Sequence, residues 1–175
     1  MKNPTTILTY LCIIGTLFVF TNCNEEERKS KSNLVGTWIV TTVDYDAYVG
    51  SMTVEEYYLN QLGYTQTETD IAMALFDDEV TMYLESSKIE FESTHDYWTN
   101  IASPAGDDGV WSINDSETMI ILDEGTIWET PVTVHTLTST ALNISFTMVE
   151  ELDLDEDPVT EDVTVTFDIT LALTK

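Results

Sequence analysis

Carboxylates are the commonest reactive groups in this chain, and their densest run is Glu150, Glu151, Asp153, Asp155, Glu156 and Asp157. Such spacing resembles that of oxygen-rich calcium loops, because hard cations prefer oxygen donors. A helix-flanked calcium loop begun at Asp153 would need glycine where Pro158 stands and glutamate where Thr164 stands, so that motif is excluded. A solvated acidic hairpin loop is the plainer expectation, with no metal site assigned and calcium binding by another geometry left open. Paired carboxylates can also hydrolyse glycosides, but only at a separation that a linear sequence does not set. His95 and His135 stand alone, with no Gly-x-Ser-x-Gly elbow and no glycine-rich phosphate loop. The expectation is a non-catalytic chain without a cofactor.

The two cysteines carry a different chemistry. Lys2 precedes an apolar run at residues 7–20 that contains Cys12, and Cys23 then stands between Thr21-Asn22 and Asn24-Glu25-Glu26-Glu27. About fourteen apolar residues are too few to cross roughly 30 Å of hydrocarbon as a helix, so the segment reads as a secretory signal. It resembles the signal of a bacterial lipoprotein, in which the cysteine becomes the first mature residue and receives acyl chains. That resemblance implies a signal over residues 1–22, lipid on Cys23, and a membrane anchor that needs no spanning helix. Several acyl chains, at about 0.8 kcal/mol per buried CH₂, hold a protein durably on a bilayer. The acidic triplet resembles the export signal that sends some lipoproteins to the outer leaflet of an outer membrane, which implies a cell-surface location; the extracellular and periplasmic faces both stay open. With Cys12 discarded and Cys23 lipidated, no thiol is left for a disulfide, for catalysis or for zinc.

Charge narrows the partners. The chain holds 32 acidic and 6 basic residues, a net charge of −26. Past Lys31 only Lys88 and Lys175 are basic. Phosphate backbones should be repelled, which excludes nucleic acid, and anionic headgroups are disfavoured as well. Such charge keeps a surface protein soluble and apart from its copies, and it could also attract cations or a basic partner.

The body that positions these groups is read as one domain, residues 34–175, joined to Cys23 by a polar, acidic tether that extends to residue 33. Its β signals are strong. Residues 163–173 alternate strictly, with Val163, Val165, Phe167, Ile169, Leu171 and Leu173 on one face and threonines and Asp168 on the other. Further strands are expected over residues 35–44, 88–92, 97–101, 109–114, 118–122, 132–137 and 141–149, with turn residues at 114–117, 123–125 and 138–140. About eight sequential strands with short links predict an antiparallel up-and-down β-barrel, whose closure removes exposed edges.

The connection between the first two of these strands is different in kind. Thr53 with Glu56 forms a capping box ahead of Val54, Tyr57, Tyr58 and Leu62, ending at Gly63. Thr67 with Asp70 would open a second helix bearing Ile71, Leu75, Phe76, Val80, Tyr83 and Leu84 roughly on one side. This helical insertion either packs against the sheet or forms a lid over the barrel mouth.

Leu34-Val35-Gly36-Thr37-Trp38, followed by a β-rich strand, resembles the opening of lipocalin-like domains, and Gly109-Val110-Trp111-Ser112 is similar to the small bacterial lipocalin-like group. The resemblance, over roughly residues 34–174, implies an all-β calycin-like barrel with Gly36 and Trp38 at its closed end. Glycine permits the close turn and the indole fills that end. Many members stack an arginine on this tryptophan; here none follows Arg28, and Lys175 is the sole late cation. Such a barrel implies a cavity for one small apolar ligand, with Tyr57, Tyr58, Trp98, Trp111 and Trp128 the aromatics to search first. The rival expectation is a filled barrel that presents its acidic surface or helical insert to another surface protein.

Overall fold

The alternation near the chain's end builds the architecture. In the computed structural model, residues 33–101, 105–154 and 162–175 are described; the expected signal, Cys23, the tether through residue 32 and the acidic stretch 155–161 lie outside them. Strand β9 (Val163–Thr174) buries Val165, Phe167, Ile169, Leu171 and Leu173 inward while Thr164 and Asp168 stay exposed. It pairs on one side with β8 (Ala141–Leu152) and on the other with β1 (Gly36–Val49). The remaining strands follow in sequence from β1: β3 (Lys88–Phe91), β4 (Asp96–Thr99), β5 (Asp107–Ile113), β6 (Met119–Leu122), β7 (Thr130–Leu137) and then β8, each antiparallel to the one before. The β1–β9 pairing closes the cylinder, so the molecule is a closed eight-stranded antiparallel β-barrel with a two-residue ribbon, β2 (Met52–Thr53), attached to the end of β1.

One strand runs longer than its sequence suggested. β1 continues to Val49 because its inward face keeps offering Val43, Tyr45, Ala47 and Val49 opposite Leu171, Ile169, Phe167 and Val165. Between Val40 and Thr42 the register shifts, which lets a single strand bend from β3 onto β9. The turns obey local chemistry. The Asn114 carboxamide oxygen accepts from the Thr118 and Met119 amides at 2.9 and 3.1 Å, and the Thr138 hydroxyl accepts from the Ala141 amide at 2.9 Å.

The helical insertion lies between the first two barrel staves. Helix α1 (Val54–Asn60) starts at the Thr53 and Glu56 capping box, and Gly63, at φ +72°, takes the left-handed turn that follows it. Helix α2 (Gln66–Leu84) is capped by Thr65 and Glu68 instead of Thr67 and Asp70. Both pairs fit the same spacing, but the Glu68 carboxylate reaches back to the Thr65 amide at 2.8 Å, whereas the aspartate side chain is one methylene shorter. Those bonds hold the exposed Glu68 carboxyl below the usual glutamate range. The stripe also differs from expectation: α2 buries Thr69, Phe76 and Leu84, with Ala72, Met73 and Val80 partly covered, while Ile71, Leu75 and Tyr83 stay exposed.

At the end where β1 begins, Trp38 is 0% exposed and its indole N–H donates to the Leu34 carbonyl at 2.7 Å. The Lys175 ammonium sits 4.6 Å from the ring centre and donates to the carbonyls of Asn33 and Val35 at 2.5 and 2.8 Å. Burial draws its pKa below the ordinary lysine value. Gly36 has φ +134°, and a Cβ built there would lie 3.0 Å from the Lys175 side chain. A lysine thus occupies the face of the tryptophan where a cation–π partner belongs.

Candidate ligand-binding site

The opposite end of the barrel is where α2 arrives. Register places the end of β8, the start of β9 and the insertion there, because β8 and β1 both run away from the Trp38 end. Phe76 of α2 descends onto Phe167, ring centres 5.9 Å apart and nearly parallel, and Tyr45 closes the cluster at 6.3 Å from Phe76 and 6.2 Å from Phe167. The Tyr45 hydroxyl donates to the Asp77 carboxylate at 2.5 Å, so one helical turn supplies both the ring that enters the mouth and the acid that latches it.

Beside this latch a cleft of about 690 Å³ remains between α2 and the β8–β9 end of the barrel. Its floor is apolar, with Phe76, Phe167, Met148, Leu152 and Leu84, and Ala72 forms part of its helical wall. Tyr58 and Tyr64, stacked 5.5 Å apart, close the side toward α1. Glu68, Glu79, Glu150 and Asp153 also line it. The volume lies within the range of small-molecule sites, and the mixture of apolar walls with a few polar groups is their usual composition. Deeper in, the barrel is filled by Trp38, Phe91, Trp111, Ile120, Ile144 and Leu171, all buried.

The aromatics singled out in the sequence are dispersed. Tyr58 lines the cleft; Tyr57 is half-buried on α1 outside its lining. Trp111 is packed in the core, edge-on to Phe91 at 5.5 Å, with its N–H donating to the Glu92 carbonyl at 3.2 Å. Trp98 lies on β4 beneath the Lys88 ammonium, 4.8 Å from the ring centre. Trp128 is 73% exposed in the β6–β7 loop. The cleft's own walls, Ala72, Met148 and Leu152, were hidden from sequence reasoning because aliphatic residues on amphipathic elements read as core. The inward row of β8, extended to Leu152, could have pointed to Met148 and Leu152; Ala72 lies on α2 and had no such signal.

The two histidines are not brought together. His95 lies in the β3–β4 turn against Trp111, and His135 lies at the β7 bulge, hydrogen-bonded to Ser145 at 2.8 Å. Among the described residues no group of three or more His, Cys, Asp or Glu side chains is placed to hold a metal ion. On the outer wall Asp46 and Asp168 are register partners, and the Thr147 hydroxyl donates to Asp168 at 2.8 Å.

A second buried tyrosine braces the barrel near Gly109. The Tyr97 hydroxyl donates to Asp123 at 2.8 Å, and the other Asp123 oxygen accepts from the Val110 amide at 3.2 Å. A Cβ on Gly109 would lie 2.0 Å from that oxygen, so Gly109→Ala must push Asp123 aside. A loss of about 1–3 kcal/mol is expected in a urea melt; an unchanged midpoint would contradict this packing.

Burial, then the bonds to Asp77 and Asp123, raises the pKa of Tyr45 and Tyr97 above the free tyrosine value. The folded state therefore holds these protons more tightly than the unfolded chain does. Their contribution is complete below about pH 10 and is lost as pH rises toward the raised folded values. Urea melts at pH 8 and pH 11 should show a drop that is smaller in the Tyr45→Phe/Tyr97→Phe double variant than in wild type. An equal drop in both proteins would place the alkaline sensitivity elsewhere.

No protein-family model matches this chain, and no curated protein matches its sequence.

Proposed function

We propose that this chain is a membrane-anchored, surface-exposed lipoprotein whose lipocalin-like barrel binds a small apolar ligand, without catalysis, in the cleft between α2 and the barrel mouth. The observation that carries the reading is the apolar cleft of about 690 Å³ at the open end of a closed barrel. Supporting it, α2 borders the cleft from Glu68 to Leu84 and is tied to the barrel mouth through the Phe76–Phe167–Tyr45 cluster and the Tyr45–Asp77 bond. The anchor rests on Cys23 and the segment before it.

A fluorescent apolar probe should bind the Cys23→Ser protein saturably at one site per monomer. Ala72→Phe, which fills the cleft, should weaken that binding by about tenfold or more. Absence of saturable uptake would overturn the reading. Cell fractionation tests the anchor separately: Cys23→Ser should move the protein from membrane to soluble fractions.

The second reading, a protein-interaction module, is favoured by the filled barrel and by Ile71 and Leu75, which are 59% and 63% exposed on α2. It predicts no probe uptake and a partner lost on Leu75→Glu.

A further inference from the structure

The inward row of β8 contains one residue that does not belong in an apolar wall. Leu142, Ile144, Phe146, Met148, Glu150 and Leu152 occupy the inward positions, facing Leu173, Leu171, Ile169, Phe167, Val165 and Val163 of β9. Every one of these twelve side chains is apolar except Glu150, and Glu150 lines the cleft. Glu150 is exposed, so water solvates its carboxylate, and an opposite charge beside it adds an ion pair at the rim of an apolar wall. Glu68, Glu79 and Asp153 line the same cleft, and no basic residue does.

The described residues bring no counter-charge to the cleft. Among the described residues the only lysines are Lys88 and Lys175, and no arginine is present. Both lysines sit over tryptophan rings outside the cleft, Lys88 on Trp98 and Lys175 on Trp38. Among the described residues the cleft is therefore acidic without a basic partner, and complementary to a cation.

Resting on the apolar-ligand reading above, we infer that the ligand is an amphiphilic cation: a hydrocarbon or aromatic body with an ammonium group, its apolar part against Phe167, Met148 and Leu152 and its charge beside Glu150. Carboxylate-headed ligands such as fatty acids are disfavoured by the same four acids.

Decyltrimethylammonium, decanol and decanoate share a chain and differ in charge, so calorimetric titration of each below its micelle concentration separates the two claims. The cation should bind about tenfold more tightly than decanol, and decanoate at least about tenfold more weakly. Glu150→Gln should bring the cation-to-decanol ratio to within about twofold, while Asp168→Asn on the outer wall, with the same change in net charge, should leave it near tenfold. Equal binding of the three ligands would overturn the charge inference and leave the apolar cleft standing. Loss of the ratio to the same extent in both variants would also overturn it, by showing diffuse attraction to an acidic protein. If none of the three binds saturably, the cleft reading itself fails and the inference with it.

Discussion

Phe167→Asp should abolish the cooperative thermal transition. Phe167 is buried on the inward face of β9, stacked on Phe76 and tilted against Tyr45, with Met148 opposite it on β8. Removing a buried phenylalanine ring costs about 3–5 kcal/mol in cavity and transfer terms. Placing a carboxylate there adds the penalty for a buried charge without a partner, since no lysine lines that part of the barrel. Together these approach the whole stability of an ordinary domain, about 5–15 kcal/mol. Circular dichroism melts read the result directly. A wild-type melting curve would contradict the inward placement of this row.

Trp38→Ala should destabilise the barrel by about 3–5 kcal/mol, the usual range for a fully buried large aromatic. Three contacts end at this side chain: the hydrogen bond to Leu34, the Lys175 ammonium over the ring, and the packing at the barrel's end. Trp38→Phe separates them. It keeps most of the ring but leaves the Leu34 carbonyl without its donor, so a smaller loss, about 1–2 kcal/mol, is expected. Denaturant melts of both variants give the comparison. Equal losses would mean that the indole N–H, not the volume, carries the stability.

Much of the barrel was legible before any coordinates. The strict alternation of residues 163–173 defined one wet face and one buried face, and β9 follows it residue by residue. The eight expected strands all form, because a period of two bounded by Asn, Asp, Gly and Thr turns is a local signal that tertiary packing does not contradict here. The extent of β1 was not legible, since Ala47, Tyr48 and Val49 pair with β9, more than a hundred residues away, and the last two also with the short β2. Nor was the helical frame of α2. The caps Thr65/Glu68 and Thr67/Asp70 share one spacing, and only hydrogen-bond reach distinguishes them.

The site was less legible than the fold. Aromatic side chains were the natural candidates, yet Trp111 serves the core and Trp128 the surface, and only Tyr58 of the five reaches the cleft. A cleft formed where a helix crosses a barrel mouth draws residues from distant segments. Ala72 and Met148 have no local property that marks them. Glu150 did carry a signal, as an acid in phase with an inward apolar row, but the phase became readable only once β8 was known to extend to Leu152.

The central claim, that the cleft between α2 and the mouth holds an apolar molecule, is tested most directly by methyl NMR during a decanol titration. The account predicts saturable shifts at the methyls of Met148, Leu152 and Ala72, with the Val40 and Leu173 methyls near the Trp38 end unmoved. Saturable shifts confined to the Trp38 end or the outer wall, or no saturable shift at any methyl, would contradict it.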